Sequence, residues 1–210
     1  MKYSPENLTY LASGLIAAGL LAASTAGAAD TSLSHKGTSF IKEASEGNQR
    51  EIAMAQLAQE KSQNPEIKSL AEMIQNDHQK SQEKLQTLAQ THGVTLDQGL
   101  TWSQKREQGK LEKLSGADFD QQYAKMMLED HVNDLNTFQK AAEQLQEPDL
   151  KQFAQDNIAA MQKHLQHAEM AAKAVGVDQA TISSITSKAP AMGGAGENNE
   201  MEHGGKQKGY

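Results

Sequence analysis

Two stretches of the chain are copies of one helix pattern. Residues 65–93 read PEIKSLAEMIQNDHQKSQEKLQTLAQTHG, and residues 148–176 read PDLKQFAQDNIAAMQKHLQHAEMAAKAVG. Both open Pro-acid-aliphatic-Lys, both reach Gly 28 residues after the Pro, and Val follows each Gly. A Pro at the first helical position marks a helix start, because its missing N–H would be unpaired there anyway. At helical spacing the first copy carries Ile67, Ala71, Ile74, His78, Ser81, Leu85, Leu88 and His92 on one face. The second carries Ala154, Ile158, Met161, Leu165, Ala168, Ala172 and Val175, with His164 beside that seam. The chain therefore holds a duplicated helix, and each copy has an interior histidine.

The duplication extends backwards. The Asn64–Pro65 junction lies midway between Glu51 and His78, and the Glu147–Pro148 junction lies midway between His131 and His164. If a tight turn precedes each Pro, Glu51 stands level with His78 and His131 with His164. The helix before the first Pro is expected from Ser39 to about Ser62, with Phe40, Ala44, Gly47, Glu51, Met54 and Ala58 inward. Gly47 is its weak point, costing about 1 kcal/mol relative to Ala, and a kink or a close backbone approach is expected there. The helix before the second Pro starts at the cap-like Ser115-Gly-Ala-Asp118, with Ala124, Met127, His131, Asp134, Phe138, Ala141 and Leu145 inward.

Residues 93–115 join the two hairpins and include a short helix from about Trp102 to Leu114. Neighbouring antiparallel helices need only about 2–8 connecting residues. A helix of this length spans about 42 Å, which about 12 extended residues can cross. The connection is long enough to traverse the bundle, as in ferritin-like folds. The expected fold is all-α: a ferritin-like four-helix bundle of two αα-hairpins over residues 39–176, with a long crossover connection containing a short helix.

Aromatic residues make up only 4% of the chain, which favours a bundle over a sheet protein. The net charge of −7 and the lack of a Lys/Arg cluster argue against a nucleic-acid partner. The chain has no cysteine, so disulfides and thiolate metal sites are excluded. Residues 1–28 read as a secretory signal: Lys2, an apolar run from Leu11 to Ala23, then Ala26-Gly27-Ala28. Cleavage is expected after Ala28 or Ala29, with export to the periplasm. That apolar run is short for a bilayer span, so no membrane association is expected beyond the signal segment. Residues 29–38 form a polar lead-in, and residues 177–210 a polar tail expected to be disordered. No feature names a protein partner, and a monomer or small homo-oligomer is expected.

Glu51, His78, His131, His164 and Asp134 are the candidate metal residues. Their heights along the helices agree within about one turn, so the four side chains of Glu51 and the histidines should converge within about 12 Å. Imidazole with carboxylate suits one transition metal ion, Zn or Cu in preference to Fe. The alternative is a hydrogen-bonded polar network that only fixes helix register. Di-iron sites need Glu-x-x-His on two helices, but Gln75, Leu128 and Met161 stand three residues before the histidines. Ferroxidase chemistry is therefore not expected. Asp77 and Asp130 precede seam histidines, point away from the seam and are expected at the surface or as partners between helices. His167 is expected at the solvent boundary, and His92 near a helix end, where the helix dipole favours a cation. Met54, Met73, Met126, Met127 and Met161 are expected as core filler. No Gly-rich phosphate loop or nucleophile elbow is present, so hydrolase chemistry is not expected.

A family resemblance rests on several of these residues together. They are Phe40-Ile41-Lys42-Glu43-Ala44, Glu51-Ile52, Leu70-Ala71, Asp77-His78 and Gly93-Val94-Thr95-Leu96, with Phe119-Asp120 and Tyr123, Asp130-His131 and His164-Leu165. Over about residues 38–176 the chain resembles the exported bacterial proteins grouped as domain of unknown function 4142. The resemblance implies a ferritin-like bundle and export, and it implies no activity.

Overall fold

Ser34, Asn64, Thr101 and Asp178 each accept a backbone N–H at a helix start. The computed structural model describes residues 33–191; the signal segment, residues 29–32 of the lead-in and residues 192–210 lie outside the described residues. Six helices follow: α1 His35–Lys61, α2 Pro65–Thr91, α3 Trp102–Glu112, α4 Gly116–Gln144, α5 Pro148–Ala174 and α6 Gln179–Thr186. No strand occurs among the described residues.

The first helix starts earlier than the sequence suggested, at His35 rather than near Ser39, because Ser34 is its cap. The Ser34 hydroxyl accepts from Gly37 N–H at 2.9 Å, and Ser34 N–H donates to Glu147 Oε1 at 2.8 Å. A Cβ on Gly37 would stand 2.8 Å from Leu33 Cδ1 and 3.1 Å from Leu150 Cδ1, so this end of α1 packs directly on the α4–α5 turn. Gly47 neither breaks α1 nor meets a backbone, since a Cβ there would find only Asp134 Oδ1, at 4.0 Å.

The duplicated helices end alike. Gly93 and Gly176 take positive φ of 67° and 81°, and the N–H of the Val after each bonds back to Ala89 O and Ala172 O. Left-handed backbone at this position is what Gly tolerates.

The contacts fix the topology. Ser34 meets Glu147, and His92 Nε2 meets Asp149 Oδ2 at 2.7 Å, so the start of α1, the end of α2 and the α4–α5 turn share one end. At the opposite end Lys61 reaches Glu112 O at 2.7 Å and lies over the Phe119 ring. The two hairpin turns are therefore at opposite ends, and the connection traverses the bundle. Along its way α3 lies beside α1, with Gln104 donating to Glu46 O and Arg50 to Glu107. The fold is a ferritin-like four-helix bundle of hairpins α1–α2 and α4–α5, with α2 also packed on α5 and α1 on α4.

The segment after residue 176 departs from its expected disorder. Asp178 caps α6, and Val177, Ile182 and Ile185 bury against the bundle. The apolar pair Ile182 and Ile185, three residues apart, gives this short helix a face to bury.

Candidate metal centre

Mid-way along the bundle three imidazoles stand in a triangle. The ring centres of His78 on α2, His131 on α4 and His164 on α5 are 5.7, 5.4 and 5.1 Å apart, and all three residues are buried. One nitrogen of each ring lies within 4.8 Å of the other two.

The outer nitrogen of each ring is held by an oxygen. His131 Nδ1 donates to Met127 O at 2.8 Å, one turn back on its own helix. His164 Nε2 donates to Asp77 Oδ2 at 3.2 Å, across from α5 to α2. His78 Nδ1 lies 2.9 Å from both Asn48 Oδ1 and Glu51 Oε2. The Asn48 oxygen is the aligned acceptor, while Glu51 interacts through charge. The Asn48 amide is oriented by its NH2 group, which donates to Ser81 Oγ and Gln82 Oε1 at 3.3 Å each. The nitrogens left over turn inward. His131 Nε2 and His164 Nδ1 are 3.2 Å apart, and His78 Nε2 has no hydrogen-bond partner.

Glu51 and Asp134 lie outside this triangle. Glu51 sits behind His78 and His131, on their outer nitrogens, with Oε1 3.6 Å from His131 Nδ1. Burial alone would raise its pKa, but His78 and His131 outweigh burial and bring Glu51 down to about 2. Asp134 is half-buried against Glu51, and burial with the Glu51 charge pushes it well above the carboxylate range. No N–H or O–H donor is aligned on either Glu51 oxygen. Thus the structure brings Glu51, His78, His131 and His164 together, but the carboxylates support the imidazoles from behind and do not share their focus.

Burial and the two facing imidazoles hold His164 down at about 4. Burial lowers His131 as well, against the pull of Glu51. At His78 burial is outweighed by the Glu51 carboxylate, which raises it. Arg50 bridges Glu107 on α3 and Asp130 on α4, tying the connection to the core beside the centre. Burial drives Asp130 up to about 7, with Arg50 pulling against it. Asp77 and Asp130 are both partners between helices, as their positions suggested.

Asn48, Gln82 and Ser45 escaped the sequence reading, which ran the α1 seam through Gly47. Asn48 lies three residues before Glu51, on the same face, and that spacing was the available signal. The duplication explains why the centre is lopsided. Pro65 and Pro148 are 83 residues apart, and so are Asn48 and His131, Ser81 and His164, Glu51 and Asp134, and His78 and Met161. One half of the repeat pairs His131 with His164, and the other pairs Asn48 with Ser81.

No curated protein matches the chain. Among solved structures, a DUF305 fragment from Deinococcus radiodurans is similar, with a TM-score of 0.60 at 14% identity, covering 68% of this chain and 98% of that one. At that identity the likeness speaks to the fold alone. The family described as Domain of unknown function (DUF4142) matches residues 22–171, a span that takes in all but the last three residues of the two hairpins and every residue of the centre, and the chain belongs to that family.

Proposed function

We propose that the bundle binds one transition metal ion through His78, His131 and His164. One observation carries this reading: each outer ring nitrogen is committed to an oxygen, so three nitrogen lone pairs converge. Metal-ligating histidines characteristically have their second nitrogen held in this way. Without a cation, His131 Nε2 and His164 Nδ1 meet lone pair to lone pair at 3.2 Å, or one ring becomes a buried imidazolium. The lowered pKa values of both rings oppose the second outcome. Imidazole donors suit Zn or Cu, and with no Glu-x-x-His the reading includes no iron oxidation.

Melting curves in chelator and in added Zn2+ or Cu2+ test the proposal. An ion at a hundredfold excess over its Kd stabilises by about 2.7 kcal/mol, or roughly 5–11 °C for a chain of this size. A melting temperature indifferent to every ion rejects the proposal.

A second reading is favoured by the polar chain Ser45–Gln82–Asn48–His78–Glu51, which ties α1 to α2 without an ion. In it the centre is a register device of a structural envelope protein. The same melting curves decide between the two.

The reading extends to location. The apolar run before Ala26-Gly27-Ala28 supports export to the periplasm. N-terminal sequencing of the mature protein should begin at Ala29 or Asp30, and a mature chain retaining Met1 contradicts cleavage of a signal segment.

A further inference from the structure

We infer that the centre takes a soft monovalent ion, Cu(I) or Ag(I), and that the Met161 thioether supplies its fourth donor; this rests on the metal-binding reading above. Met161 is 3% exposed. Between α2 and α5 it lines a crevice of about 10 Å3 with Asp77, His78, Ser81, Asn157 and His164. Two of the three imidazoles therefore border the same small space as its side chain.

The duplication gives a second, independent reason for this placement. Met161 is the counterpart of His78, each 13 residues beyond its own Pro and near the middle of a 27-residue helix. The two helices pack antiparallel on each other, so counterparts at mid-helix stand level across the α2–α5 seam. Where one copy offers the centre an imidazole, the other offers a thioether. Met161 is also three residues before His164, on the same face of α5.

The chemistry of the ion follows from the donors: three imidazoles and one thioether make a four-coordinate set. Thioether donors select Cu(I) over harder ions. The chain has no cysteine, so methionine is its sole sulfur donor. Buried methionines are ordinarily core filler. Met161 is set apart by lining this crevice together with His78 and His164.

The test uses the full chain loaded with Cu(I) under anaerobic, reducing conditions. Affinity is read by competition with a chromophoric Cu(I) chelator, and the donors by X-ray absorption at the copper edge. The wild type should hold one Cu(I) with a sulfur and nitrogens in its first shell. Met161→Leu, close in volume, should lose the sulfur and bind Cu(I) at least tenfold more weakly, with Zn2+ affinity changed less than twofold. Met54→Leu should bind Cu(I) as the wild type does. A sulfur-free first shell in the wild type overturns the inference, and that result does not depend on how any variant folds. So does Cu(I) held equally tightly by Met161→Leu. If Zn2+ binding needs His131 while Cu(I) ignores Met161, the thioether falls and the histidine centre stands. If His131→Ala binds both ions as the wild type does, both fall.

Discussion

His131 has no exposed surface, and both its nitrogens face fixed neighbours, Met127 O and His164 Nδ1. Its replacement by Ala removes a proposed ligand and opens a cavity in one step. The cavity and the lost hydrogen bond cost on the order of 1–3 kcal/mol whether or not an ion is present. The diagnostic quantity is therefore the gain on adding metal, which should be about 2.7 kcal/mol for wild type at hundredfold excess and zero for His131→Ala. Paired melting curves read both numbers. Acid should act first through His78, whose pKa is raised above 6.5 because Glu51 outweighs the effect of burial. Binding an ion displaces that proton, so affinity falls as pH drops. The expected slope is about one decade per pH unit below the His78 pKa. It steepens near pH 4, where His164 also takes a proton. A Zn2+ affinity measured flat between about pH 8 and 5 contradicts this assignment of protons.

At the scale of the elements, two glycines on α1 make opposite predictions. Gly47→Ala meets nothing closer than 4.0 Å and gains helix propensity, so it should stabilise by about 0.5–1 kcal/mol. Gly37→Ala meets Leu33, Glu147 and Leu150 at 2.8–3.1 Å. Overpacking of this kind costs about 1–3 kcal/mol and should exceed the propensity gain. Denaturant melts of the two variants should move in opposite directions. Ile182→Ala, by emptying the buried side of α6, should cost about 2–4 kcal/mol and raise hydrogen exchange across residues 177–188. Helix existence was legible because Pro65, Pro148, Gly93 and Gly176 punctuate strong seams. Helix α6 was not, because eight residues with two isoleucines carry little periodic signal beside a Gly-rich tail. The start of α1 was placed a turn late because Ser34 and Ser39 are equally good caps by residue type, and what anchors Ser34 is Glu147, more than a hundred residues away.

For the whole molecule, the duplication determines both the fold and its centre. Equal arms about each Pro bring Glu51 level with His78 and His131 level with His164, and the crossover stacks the two levels at mid-bundle. That much was readable from residue numbers alone. Which side of each imidazole faces inward was not. Successive helical residues differ by about 100°, so spacing cannot say whether Glu51 shares the focus of the rings or backs them. The answer depends on Asn48, Met127 O and Asp77, which hold the outer nitrogens, and sequence periodicity does not report tertiary hydrogen bonds. The central claim is that three imidazoles, oriented from behind, share one ion. The most direct measurement is metal content per chain, by elemental analysis, for tag-free protein dialysed to equilibrium against Zn2+. His131→Ala and His78→Ala are dialysed in parallel, so that binding by other histidines cancels. The account predicts one ion per wild-type chain in excess of either variant. Equal metal content in all three proteins would contradict it.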